Sequence, residues 1–105
     1  MLSTRVFCGD FDGDGRADAI AFVFYNPAGG NGVFDKVVLF RNVAGVLRYV
    51  RSVPNIIGDP QAASFRRGGV ELDMLTLKDS DAACCPTGRS RVFVDVAAGT
   101  HRTMP

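Results

Sequence analysis

The chain is 105 residues long, with 47% hydrophobic and 22% charged residues. That length buries roughly two-thirds of the unfolded surface, enough for one core, and the composition excludes a disordered polymer. A formal net charge of +1 with scattered basic residues argues against a nucleic-acid footprint or a polybasic membrane patch, and no stretch has the length of a transmembrane helix.

Met1-Leu2-Ser3-Thr4-Arg5 lacks the apolar centre of a signal peptide, so the chain reads either as cytoplasmic or as an exported protein whose leader has been removed. Residues 5–8, Arg-Val-Phe-Cys, predict a first strand. It runs into Asp10-Phe-Asp12-Gly-Asp14-Gly-Arg16-Ala-Asp18, which sets carboxylates at loop positions 1, 3, 5 and 9 and glycines at 4 and 6.

Hard oxygen donors at that spacing suit Ca²⁺. In a calcium loop the side chains at positions 1, 3 and 5 turn inward, and a backbone carbonyl at position 7 adds an oxygen. The expected ligands are therefore Asp10, Asp12, Asp14, the carbonyl of Arg16, and Asp18, directly or through water. Gly15 permits the sharp turn. Position 12 is Ala21, where an EF-hand places a bidentate Glu, and no helix pattern follows. The competing reading is an acidic, metal-free turn, since Asp-Gly pairs also make ordinary turns. Without an ion, carboxylates this close repel each other.

Residues 19–25, apolar and rich in aromatic and β-branched side chains, predict a buried second strand. The glycine-rich run at 26–32 stops it; that run lacks the strand-to-helix setting of a phosphate loop and reads as a flexible turn. Residues 33–41 predict a third strand, residues 42–45 a turn, and residues 46–53 a returning strand ended by Pro54. Residues 61–65 make a weak fifth strand after the Gly58-Asp59-Pro60 turn. Arg67-Gly68-Gly69 reads as a hairpin turn into 70–77, a polar loop follows, and 91–96 make the last strand. No helix and no internal repeat are evident. The expected fold is all-β: a single domain over 1–105, an antiparallel meander of about six to seven strands in a curled sheet or small sandwich.

The polar loop holds Asp81-Ala-Ala-Cys84-Cys85-Pro86-Thr87. Three arrangements are open to the cysteines. Cys84 and Cys85 close a vicinal disulfide, strained because their Cα atoms stand about 3.8 Å apart, below the usual disulfide range. Alternatively Cys8 pairs with one of them, a cross-link of roughly 4 kcal/mol if unstrained. In the third, all remain thiols. Zinc held by the three cysteines and His101 is the least favoured, because adjacent cysteines rarely share one tetrahedral ion.

Two resemblances rest on these motifs. The Asp10 to Asp18 segment resembles the calcium loop of FG-GAP (integrin α-type) and VCBS repeats, D-x-D-G-D-G-x-x-D before a strand, over about fifteen residues. A wider resemblance runs through Gly9 to Gly15, Gly30 to Phe34, residues 37–41, Gly58-Asp59, residues 70–77 and the Cys84-Cys85-Pro86-Thr87 element; in this order they are similar to the LppP/LprE group of bacterial lipoproteins and related exported proteins. It implies an exported, cell-envelope-associated β domain. The lipobox cysteine of that group is not among these residues, so a lipid anchor is not inferred, and Pro60 stands where the group tends to carry a basic residue.

Export suits the ion, because extracellular calcium modules bind with Kd of about 10⁻⁴ to 10⁻³ M. The expected function is a non-catalytic, extracellular calcium-binding β module, with contacts to itself or a partner through exposed β-edges. The alternative is an exported redox sensor using Cys84-Cys85, since an exposed strained disulfide is labile. An enzyme is disfavoured: His101, the only histidine, reads as a solvated tail residue, and no serine or cysteine has a base near it in sequence.

Overall fold

The alternation of apolar and polar residues at period two sorts residues 69–76 most clearly into a buried and an open face. The structure, a computed structural model, describes residues 2–25, 34–54, 56, 58–76 and 87–104. Its strands are β1 (Leu2–Gly9), β2 (Asp18–Tyr25), β3 (Phe34–Val43), β4 (Val46–Val53), β5 (Asp59–Arg66), β6 (Gly69–Thr76), β7 (Gly88–Asp95) and β8 (Thr100–Thr103). They form two four-stranded antiparallel sheets, each a simple meander, β1-β2-β3-β4 and β5-β6-β7-β8. The shortest principal extent is 20 Å. Two sheets stacked about 10 Å apart, with side chains outside each, have that thickness.

One apolar cluster joins the sheets. Ile20 and Phe22 of β2, Val37 and Leu39 of β3 and Val53 of β4 meet Val70, Leu72 and Met74 of β6 and Val92 and Val94 of β7. Cross-strand register explains the selection: Phe7, Ile20 and Leu39 stand in one row, and Phe22, Val37 and Val53 in the next. Side chains opposite one another across a ladder share a face, so these apolar residues turn inward together, and the rows end at Arg51 of β4 and Arg5 of β1. Burying each such side chain contributes about 1.5–3 kcal/mol. Phe7 closes the edge of the core with its ring edge-on to Phe22, centroids 6.0 Å apart. Ile56, between the sheets in sequence, is also fully buried.

The sheets are pinned at one corner. A Cβ on Gly9 would overlap the Phe65 ring and lie 2.8 Å from its Cβ; only glycine lets β1 approach β5 so closely. Arg5 donates from Nη1 to the Pro60 carbonyl and pairs with Asp59 at 3.4 Å across the same seam.

The all-β, antiparallel expectation holds, with the meander divided into two sheets. Among the described residues eight strands are present where six to seven are expected. The additional strand is β8, and His101 lies in it opposite Val94, partly buried, not in a solvated tail. Thr-His-Arg-Thr carries no apolar alternation; it is a strand because its backbone pairs with β7, a contact no side-chain pattern announces. The weak fifth strand is full length, Asp59–Arg66, with a register shift between Pro60 and Ala62 that absorbs the irregularity. The glycine-rich run at 26–32 and the Cys84-Cys85 element lie outside the described residues. Among the described residues no helix is long and apolar enough to cross a membrane.

Candidate metal centre

Residues 10–17 join β1 to β2, whose first residue is Asp18. Phe11, between the first two acids, is fully buried in the core and anchors the loop. Its carbonyl accepts a 2.8 Å hydrogen bond from Gly68 N–H in the β5–β6 turn, which ties the loop to the second sheet. Gly13 and Gly15 take φ of 80° and 84°, left-handed values that side chains with a Cβ resist.

Asp10 organises the turn around itself. Its Oδ1 accepts from the N–H groups of Asp12 (3.0 Å) and Gly13 (2.8 Å), and its Oδ2 from that of Gly15 (2.8 Å). These donors, Gly15 foremost and partly offset by burial, lower the Asp10 pKa below the ordinary aspartate range. Asp14 Oδ1 accepts from Arg16 N–H at 2.9 Å.

Asp18 is fully buried. Oδ2 accepts from Phe11 N–H at 3.0 Å and Oδ1 from Asn42 N–H at 2.8 Å, so one carboxylate links the loop to β3. The Asn42 side chain donates to the Ala17 carbonyl at 3.0 Å and strengthens the same junction.

Asp10, Asp14 and Asp18 each present a carboxylate oxygen, and these three oxygens lie within 4.8 Å of one another. Oxygens this close can hold one metal ion between them. The N–H bonds leave room for it, because an ionised carboxylate has about four acceptor sites. Asp12 is turned elsewhere: its Oδ2 pairs with Arg41 Nε of β3 at 3.0 Å. Burial raises the Asp12 pKa first, the Asp18 charge raises it further, and Arg41 partly offsets both. Arg16 is exposed at the loop surface.

Arg41 and Asn42 are the site neighbours that sequence reasoning missed. They follow the apolar part of β3, and nothing in their spacing from the loop reveals that strand pairing sets them beside it.

Cys8 is an exposed free thiol on the outer side of β1, whereas Cys84 and Cys85 lie outside the described residues. On the second sheet a shallow, open depression is lined by Ala62, Ser64, Glu71, Asp73 and Arg91. Arg91 bridges Glu71 and Asp73 there at 3.4 and 3.8 Å.

Family models, curated proteins and solved structures compared with the chain give no match.

Proposed function

We propose that this chain is a non-catalytic, calcium-binding β module working outside the cell or in its envelope. In this reading Ca²⁺ clamps the β1–β2 connection against β3. The observation that carries it is the convergence of Asp10, Asp14 and Asp18 oxygens within 4.8 Å, on a loop already folded by its own N–H groups. Such a loop has lost much of its conformational freedom before the ion arrives, which favours binding. Arg41 balances Asp12 beside the cluster; on ion binding, Asp12 either stays with Arg41 or exchanges it for the metal. The resemblance to FG-GAP-type loops and to exported bacterial proteins supports the same reading, as does the millimolar calcium met outside cells. Among the described residues, Cys8 points outward from the first sheet and His101 lies on β8 of the second. Self-association through the sheet-ending strands, β1, β4, β5 and β8, fits a module of this kind.

Calorimetric titration of the metal-free protein with Ca²⁺, beside a Mg²⁺ titration, tests this. One ion is expected to bind with a preference for Ca²⁺, and thermal unfolding is expected to shift upward with Ca²⁺. At a hundredfold excess over Kd the gain is about 2.7 kcal/mol, or roughly 10 °C or more for a domain of this size. Asp10→Ala and Asp14→Ala abolish the shift. Absence of both heat and shift in the unsubstituted protein refutes the proposal.

A further inference from the structure

The outer face of the second sheet carries two arginines on one aromatic ring. Phe93 of β7 stands in a cross-strand row with Ser64, Glu71 and Arg102. Its ring extends over Gly69 of β6, where a Cβ would overlap Cζ and Cε1; glycine leaves that space open. Arg66 comes from β5 and Arg102 from β8, the two outermost strands of this sheet. Their Cζ atoms lie 4.7 and 4.8 Å from the Phe93 centroid. Both arginines are exposed, and among the described residues neither has a carboxylate or carbonyl partner. The acids of this sheet are engaged elsewhere: Glu71 and Asp73 with Arg91, Asp59 with Arg5, and Asp95 with the Ala98 N–H at 3.0 Å.

We propose that Arg66 and Arg102, carried on the Phe93 ring, form a binding site for a phosphate monoester. Three features select that ligand. First, an aromatic ring attracts a guanidinium through its face but accepts none of the five N–H groups in the guanidinium plane, so both forks keep their donors for an anion. Second, two groups this close to one centroid are no more than about 10 Å apart, which is one Debye length. Their charges repel, and a dianion between them is attracted by both. Third, the oxygen count separates phosphate from carboxylate. One arginine fork takes up both oxygens of a carboxylate. A phosphate monoester presents three terminal oxygens and a charge of about −1.5 to −2 near neutral pH, which serves two forks. The ring also holds the arginines in place beforehand, so less side-chain freedom is lost on binding. The site belongs to the second sheet and is independent of whether the acid loop binds calcium.

Titration of the metal-free full chain with glycerol 3-phosphate and with inorganic phosphate, followed by nuclear magnetic resonance, tests the site. Acetate at matched ionic strength is the control. Glycerol 3-phosphate is expected to move the arginine Nε–H and Phe93 ring signals with a Kd in the millimolar range at low salt, and to bind more tightly than acetate. Arg66→Gln and Arg102→Gln each weaken it by about tenfold, with circular dichroism unchanged because both side chains are exposed. Phe93→Leu keeps both charges and removes the ring; it weakens binding by about threefold or more. Arg48→Gln, exposed on the first sheet, leaves the affinity unaltered. Binding of the ester equal to or tighter than that of inorganic phosphate supports the proposal, and binding of inorganic phosphate alone overturns it. Shifts that acetate reproduces in full overturn it as charge screening. An affinity indifferent to Arg66→Gln and Arg102→Gln overturns it as well. So does the absence of any shift in the unsubstituted chain, which leaves the arginines as a cover for the ring.

Discussion

The first sheet turns Val6, Val38, Phe40 and Tyr49 away from the core, whereas the second turns out Glu71, Asp73, Arg91 and a stack in which Arg66 and Arg102 cover the Phe93 ring at 4.7 and 4.8 Å. Their inner faces are alike, rows of Ile, Leu, Val, Phe and Met meeting in one cluster. Their connections also differ: β1 and β2 are joined by the acid loop at 10–17, β5 and β6 by a tight turn at Arg67 and Gly68, and the two are stitched by Gly68 N–H on the Phe11 carbonyl. The difference teaches that the inner pattern fixes the sandwich and leaves the outer faces free to diverge. The second sheet keeps its outer face in water with ion pairs and cation–π contacts. The first sheet holds its acids in a loop and leaves its face nearly uncharged.

The strongest way to break the comparison is to cut the core from either side. Phe22→Ala is expected to cost about 3–5 kcal/mol and Leu72→Ala about 2–5 kcal/mol. Each should lower a single unfolding transition seen by both near- and far-ultraviolet circular dichroism; separate transitions would show that the sheets unfold independently. Next in size is Asp18→Ala, which leaves the N–H groups of Phe11 and Asn42 without their acceptor. It should cost about 2–4 kcal/mol even with chelator present, measured by denaturant unfolding. Asp14→Ala, exposed, should cost less than about 0.5 kcal/mol under the same conditions. That contrast separates the buried bridging carboxylate from an exposed one that holds only the Arg16 N–H within the loop.

Gly69→Ala probes the second sheet's outer face. A Cβ there would overlap the Phe93 ring and lie 2.7 Å from the Val94 carbonyl oxygen. The expected cost is about 1–3 kcal/mol, with the Phe93 ring displaced from its two arginines in chemical-shift data. On the first sheet the β3–β4 turn offers the reverse experiment. Ala44 has φ of 53° and Gly45 of 87°, the pair of positive values of a type I′ hairpin turn, and alanine pays for the first of them. Ala44→Gly should therefore stabilise by about 1 kcal/mol, measured by chemical denaturation. The smallest effect is in titration. By carboxyl NMR with chelator, Asp12 should protonate before Asp10 as pH falls. The Asp10 pKa is depressed, so its N–H bonds add stability above the ordinary aspartate range, and the contribution fades as pH drops through the depressed value.

Most of the strands were legible from composition. Residues 46–53 are expected as a strand and are β4 to the residue, because a segment rich in β-branched and aromatic residues stands between Asn-Val-Ala-Gly and Pro54. The clustering of Asp10, Asp14 and Asp18 also followed from local spacing, since a loop bent by two left-handed glycines draws such positions together. Asp12 behaves otherwise because Arg41, from another strand, reaches it.

By itself the sequence determined the all-β class, most strand positions and the acid loop, because each depends on neighbours within about ten residues. Only the tertiary structure decided the division into two sheets, the pairing of polar β8, the use of Asp18 as a bridge to Asn42, and the close approach of Gly9 to Phe65. Each of those is a backbone or side-chain contact between segments remote in sequence, and period-two alternation says which residues share a face but not what that face meets.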